Sequence, residues 1–405
     1  MTSLDVSPLT RSPRHTSGCA ERASFAPSPS GEDRVRIIAE LDELRSLETA
    51  HQALFASAAT PHVGTSYPYV IAEATTASPE QPWRVFAAYR NGALAGCLYG
   101  RRLTRTVVRM RMPVFELGAK FVADPLLGPT DPHPTLRSLI ETLVESERDC
   151  AMFVFPRLSA ASFEQLARAA TELGLPWDCQ WAPYAYAFDT TIGVDEFVAR
   201  MDGRQRRELS RRNRRLVRDH ACGLRREEGL ALEDDLARFE TFMRIEDSGW
   251  KGANGTSIRR RAGYEPFFRE LIRSASLGRQ LVWYTLHADE RPIAMYLAMH
   301  THDTLWLPKI GYDESFAVHA PGMVLGHNVL LECVANPAVR RADNISATPW
   351  VRLWKPSIVS FRSMTLFSKN ARSSFVYRTL AAERFARRVV GRPKIGPGPG
   401  DRPYL

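Results

Sequence analysis

Between residues 280 and 334 the chain reads as three strands running into a helix, and that order leaves few folds open. Residues 280–287 (QLVWYTLH) predict a strand that ends in the turn 288–292. Residues 293–299 predict a second strand and 304–310 a third. A loop over 311–320 leads to Pro321-Gly322, which opens an apolar helix over 323–334. Proline in the first turn of a helix costs no hydrogen bond, and glycine lets a ligand approach the backbone. The free amides there, with the positive end of the helix dipole, attract an anion such as pyrophosphate.

Composition bounds the rest. A chain of 405 residues, 44% hydrophobic and 24% charged, can bury a sizeable core and predicts a soluble protein of two domains. Nothing reaches 18 consecutive apolar residues, which argues against a spanning helix. Residues 1–33, rich in Ser, Pro, Thr and Arg, predict a disordered segment rather than a secretory signal, and 384–405 a basic disordered tail. The six cysteines show no CxxC spacing, as expected of reduced thiols in a cytoplasmic protein. Net charge is +9, and Arg supplies 48 of the 54 basic residues. GC-rich coding alone can produce that bias; the remaining excess suits acidic partners.

Residues 34–56 carry helical periodicity, followed by a hairpin around Asn91-Gly92, further strand-like pieces, and a helix–strand–helix–strand run to 188. This order repeats that of the second half, so the expectation is two α/β domains, 34–200 and 223–383, each with its own sheet. Between them, 201–222 predicts a connecting helix with eight Arg in 204–218, on nearly every face. It is read either as a connector paired with carboxylates or as an anion-binding surface for phosphates, tRNA or a glycan.

The order strand, turn, strand, strand, Gly311-Tyr312-Asp313, Pro321-Gly322-Met323-Val324 resembles the acyl-CoA-binding half of the GNAT acyltransferases. More narrowly, with the Arg-rich helix, Glu246, Gly249-Trp250-Lys251-Gly252 and Trp354-Lys355, it resembles the CelD/BcsL-type proteins of polysaccharide production, relatives of the FemABX peptidyltransferases. The resemblance implies tandem GNAT-like domains with mixed, mainly antiparallel sheets flanked by helices. It also implies an acyltransferase that uses acyl-CoA, acetyl-CoA first, on an amine or hydroxyl of an envelope, polysaccharide or small-metabolite acceptor. An aminoacyl-tRNA-dependent transferase of FemABX type, or a non-catalytic protein facing nucleic acid, is the alternative. One departure is that His319-Ala320-Pro321-Gly322 lacks the denser Gly and Arg run of the usual pyrophosphate loop.

Acyl transfer needs a donor and acceptor held together, a base, and stabilisation of the oxyanion. Asp313, His319 and Glu246 are the candidate bases, although each can equally be a turn cap, a loop histidine or a helix end. Ile310, Gly311, Pro321, Gly322, Met323 and Val324 are the candidate cofactor contacts. Trp250, Lys251 and Lys355 are the candidate acceptor contacts. Without G-x-x-x-x-G-K-[ST], G-x-G-x-x-G, G-x-S-x-G or H-E-x-x-H, and with no zinc spacing, an NTPase, a dinucleotide enzyme, a serine hydrolase and a metal enzyme are not expected.

Overall fold

A computed structural model describes residues 33–389 apart from 60 and 119. Its strands are β1 (Arg34–Ile38), β2 (Trp83–Arg90), β3 (Ala93–Val107), β4 (Met110–Leu117), β5 (Leu126–Leu127), β6 (Phe153–Leu158) and β7 (Trp177–Asp189). They continue as β8 (Cys222–Glu228), β9 (Leu281–Ala288), β10 (Arg291–Thr301), β11 (Thr304–Tyr312), β12 (Arg341–Asp343) and β13 (Ser357–Leu366).

The two halves share one plan. Each is a four-stranded antiparallel meander, β1–β4 or β8–β11, followed by a strand parallel to the meander's last: β6 beside β4, β12 beside β11. In each half the helix after the meander begins with Pro behind a left-handed residue. These are Pro132–Ser146 after Asp131 (φ 47°) and Pro321–Ala335 after Ala320 (φ 49°). The tandem, mainly antiparallel layout flanked by helices is as the sequence implies.

The expectation of two separate sheets is corrected. All strands join one sheet in the order β1-β2-β3-β4-β6-β13-β7-β12-β11-β10-β9-β8, with β5 beside β3. The halves exchange their last strands: β7 pairs with β12, while β13 pairs with β6 and with β7. Backbone groups at each half's open edge are thus satisfied by the other half. Helices add to the fusion. Tyr69, on the helix Tyr67–Thr75, packs at a tilt against Phe267 of the helix Tyr264–Leu277 with ring centroids 6.0 Å apart.

Two local readings also change. Residues 34–56 are not one helix. Arg34–Ile38 alternates as well as a helix would, and β2 supplies its ladder partners; two short helices follow, Leu41–Ser46 and Glu48–Ser57. At the other end the helix Ala371–Val389 runs into the expected tail, whose remainder, like residues 1–32, lies outside the described residues. No helix among the described residues is long and apolar enough to cross a membrane.

Candidate active site

The sheet opens where β11 parts from β12. Their parallel pairing covers only Thr304–Trp306 against Arg341–Asp343. On the other side of β11, Lys309 faces Leu297 while Trp306 faces Met299, so Leu307 and Pro308 oppose the single residue Ala298. This is a β-bulge, and Pro308, lacking an amide hydrogen, sits where a ladder bond is lost. After β12 the chain turns at Ile345, held at φ 58°, a costly conformation for a β-branched residue. Asp343 Oδ1 accepts the Ile345 amide at 2.8 Å, and Arg157 Nη2 donates to the Ile345 carbonyl at 2.9 Å, so both halves hold the turn.

The result is a cleft of about 810 Å³ that passes through the sheet. Residues 307–312 form one wall, and Asn344, Ser346, Thr348 and Trp350 the other. One mouth is lined by Ala320, Gly322 and Met323 of the Pro321 helix. The other is lined by Glu246, Trp250, Lys251, Arg261, Tyr264 and Phe268, with Lys120 and Phe121 from the first half.

Of the expected residues, Glu246, Trp250, Lys251, Ile310, Gly311, Gly322 and Met323 all line this cleft. Glu246 closes the helix Leu232–Ser248 and its side chain is fully buried. Oε1 pairs with Lys251 Nζ at 3.0 Å and lies 3.8 Å from Lys309 Nζ, while Oε2 accepts the Ile258 amide at 2.8 Å. Lys251 Nζ also donates to the Ile310 carbonyl. Trp250, 43% exposed, is a platform at the mouth rather than a core residue. A Cβ on Gly311 would stand 3.1–3.2 Å from the backbone and Cβ of Glu246, a tight contact that glycine avoids.

At the Pro321 helix, the amides of Met323 and Val324 both donate to the Ala320 carbonyl, which leaves Gly322 as the first-turn donor toward the cleft. Pro321 and Val324 are buried beneath it. A Cβ on Gly322 would come within 3.2 Å of the Tyr312 ring, so glycine keeps this turn close to β11.

The remaining expected residues lie elsewhere. Asp313 caps a 3-10 turn, accepting from the Ser315 amide and hydroxyl and from Arg291. Burial would raise its carboxyl, but those bonds outweigh it and hold it below the usual range. His319 is buried against Phe316 and His220, and burial lowers its imidazole below its ordinary value. Lys355 is exposed and does not line the cleft.

Residues that sequence reasoning passed over include Lys309, Lys120, Arg261 and Tyr264. Burial drives the Lys309 amine down to about 8, with Glu246 opposing and Lys251, Arg261 and Lys120 adding repulsion. A signal for it was present: in a chain with six lysines, three converge on one cleft.

The arginine helix, Gly203–Asp219, buries Leu209 and Leu216. Arg204, Arg207, Arg211, Arg214 and Arg218, at spacings of three and four, form an exposed stripe on the opposite face; Arg215 is exposed beside it and Arg206 and Arg212 are half-buried on other sides, so arginines occupy nearly every face but that of the two leucines. Its carboxylate partners are its own Glu208 and Asp219, not the two halves, and Arg212 alone turns into the cleft. A group with metal-ligand reach, Glu147, Asp149 and Cys150, lies far along the chain, and Arg102 bonds both of its carboxylates.

Residues 203–347, which hold most of the cleft, match the acetyltransferase (GNAT) domain family. No curated protein sequence matches the chain. The fold is similar to a conserved protein of unknown function from Bacteroides thetaiotaomicron VPI-5482 (TM-score 0.54, 11% identity), covering 83% of this chain and 100% of that one. It is similar to FemX (0.53, 9%, covering 78% and 95%). It is also similar to the C-terminal domain of a putative lysylphosphatidylglycerol synthetase from Agrobacterium fabrum (0.52, 10%, covering 84% and 96%). Residues 203–347 therefore carry an acyltransferase domain of the GNAT type, within a chain whose two halves repeat one mixed, mainly antiparallel plan.

Proposed function

We propose that the cleft transfers an acyl group from acyl-CoA, acetyl-CoA first, to an amine or hydroxyl of an acceptor used in envelope, polysaccharide or small-metabolite synthesis. One observation carries the reading: the cleft runs through the sheet, with a helix N-terminus at one mouth and a lysine–carboxylate cluster at the other. Donor and acceptor can enter from opposite faces and meet beside β11. The acceptor class follows the resemblance to the CelD/BcsL-type proteins, and a CoA donor suits a cytoplasmic reaction.

On this reading, pantetheine runs along Ile310 and Gly311. The pyrophosphate lies at the Gly322 amide, with Pro321, Met323 and Val324 shaping the turn and lending the helix dipole. The acceptor lone pair attacks the thioester carbonyl, the C–S bond breaks, CoA leaves as thiolate, and the acceptor proton passes to a base. Lys309 is that base, since an amine near 8 has a neutral fraction at physiological pH. Glu246, with both oxygens engaged, is a positioning residue that holds Lys251 and Lys309. Trp250 and Lys251 receive the acceptor.

Calorimetric titration with acetyl-CoA, longer acyl-CoAs and aminoacyl-tRNA tests the donor. Gly322→Asp places a negative charge at the pyrophosphate and should weaken CoA binding about tenfold or more, roughly 1.4 kcal/mol. Gly322→Asn imposes the same crowding on Tyr312 without the charge, so equal losses in the two variants would refute the phosphate placement. The arginine stripe favours a second reading, in which the donor is an aminoacyl-tRNA held by that face.

A further inference from the structure

We infer that the acceptor carries a carboxylate or phosphate, and that Lys120 and Arg261 hold this group beside Tyr264 while the acceptor's nucleophile reaches Lys309. The inference rests on the acyl-transfer reading and names its substrate class.

Three cations surround one ring. Lys120 Nζ lies 3.9 Å from the Tyr264 centroid, the Arg261 guanidinium 4.0 Å and Lys309 Nζ 5.4 Å. Lys120 also lies 4.0 Å from the Phe267 centroid. Aromatic faces attract these cations, yet they cannot neutralise them. With Lys251 and Arg212, five basic side chains line the cleft, against one carboxylate, Glu246. That carboxylate is already engaged by Lys251 and the Ile258 amide. Glu73 stands near Lys120 but accepts from its backbone amide and does not line the cleft.

Positive charge gathered in a partly enclosed, aromatic-walled space is costly without a counter-anion. Burial lowers the amines of Lys309 and Lys120; Glu246 opposes this at Lys309 and Glu73 at Lys120, while Arg261 adds repulsion to both, so an anion bound at Lys120 and Arg261 would offset the remaining excess of positive charge. The choice of residues points the same way. Where arginine otherwise stands at nearly every basic position, lysine at 120, 251 and 309 supplies a compact charge that fits beside a ring. Lys120 comes from the first half and the others from the second, so the clamp forms only when the halves are joined. Its place across β11 from the Pro321 helix separates it from any cofactor phosphate.

The test uses the full chain saturated with CoA, so that cofactor phosphate sites are filled. Calorimetry with orthophosphate, glutamate, glucosamine 6-phosphate and glucosamine should detect the three anions and not glucosamine. The relative affinities of glutamate and the phosphates identify the source. Lys120→Met and Arg261→Gln should each weaken anion binding about tenfold, as loss of one charged hydrogen-bonding partner does, while leaving CoA affinity unchanged. Lys120→Arg should restore part of the loss, which a purely structural role would not require. If the wild type binds no anion under saturating CoA, or the variants bind as well as the wild type, the inference is overturned and the transfer reading stands. If acetyl-CoA itself does not bind, the transfer reading falls and takes the acceptor assignment with it.

Discussion

Methionine at Lys309 should slow acyl transfer by about 10²- to 10⁴-fold, the usual contribution of a positioned base, while leaving the fold at least as stable. Methionine has nearly the length of lysine and removes only the amine. That amine is held down to about 8 by burial, in a setting faced by Glu246, Lys251, Arg261, Lys120 and Tyr264. Because its folded value lies below the ordinary lysine value, the unfolded chain binds more protons between the two. The protonated amine therefore costs stability below about pH 8, and that cost fades as pH rises toward the ordinary lysine value. The variant loses this cost along with its catalysis. In the wild type, turnover should climb with pH until about 8 and then level off, since only the neutral amine accepts a proton. Lys309→Arg keeps the charge but cannot shed a proton in this range, so it should be as slow as the methionine variant. Thiol release from acetyl-CoA, followed from acid to alkaline pH, separates these cases. An alkaline limb that persists in either variant would remove Lys309 from the role of base.

The parts of this protein that were legible in its sequence are those governed by local pattern. β9, β10, β11 and the Pro321 helix follow from alternation, a turn at Ala288–Pro292 and proline at a first helical turn, and they lie close to the expected bounds. Glu246, Trp250, Lys251, Gly311 and Gly322 meet in one cleft because β11 and the start of that helix sit where the pattern puts them, whereas the bulge at Leu307–Pro308 was not legible. Asp313 and His319 are as close in sequence, yet spacing does not give direction. Asp313 bonds its own turn through Ser315, a use of aspartate that competes with any catalytic one, and His319 packs inward on Phe316. The strand exchange was not legible at all. β13 pairs with β6 about two hundred residues away, and no local periodicity records a partner at that distance. The same holds for Lys120, which reaches the cleft only because the halves share one sheet.

If the donor is an aminoacyl-tRNA, the second reading, the arginine helix should bind tRNA phosphates through its exposed stripe, with an affinity that falls steeply with salt. Arg204, Arg207 and Arg214 form no ion pair among the described residues, whereas Arg211 and Arg218 are held by Glu208 and Asp219 on the same helix. Five contacts would give a log–log salt slope of about −3.5, taking about −0.7 per phosphate, or about a hundredfold loss between 50 and 200 mM salt. The three unpaired arginines bear most of the free charge, so changing Arg204, Arg207 and Arg214 together to Gln should flatten that slope by about 2. Such exposed changes should leave the fold intact, because Leu209 and Leu216 anchor the helix on its opposite face. Filter binding of tRNA to the wild type and the triple variant at both salt concentrations decides the matter, with acetyl-CoA affinity as the control. A shallow slope in the wild type, or a slope the variant leaves unchanged, would strip the stripe of any role with nucleic acid and leave acyl-CoA as the donor. A steep slope lost in the variant, together with weak acetyl-CoA binding, would move the donor to aminoacyl-tRNA, with Arg212 extending the charged path from the stripe into the cleft.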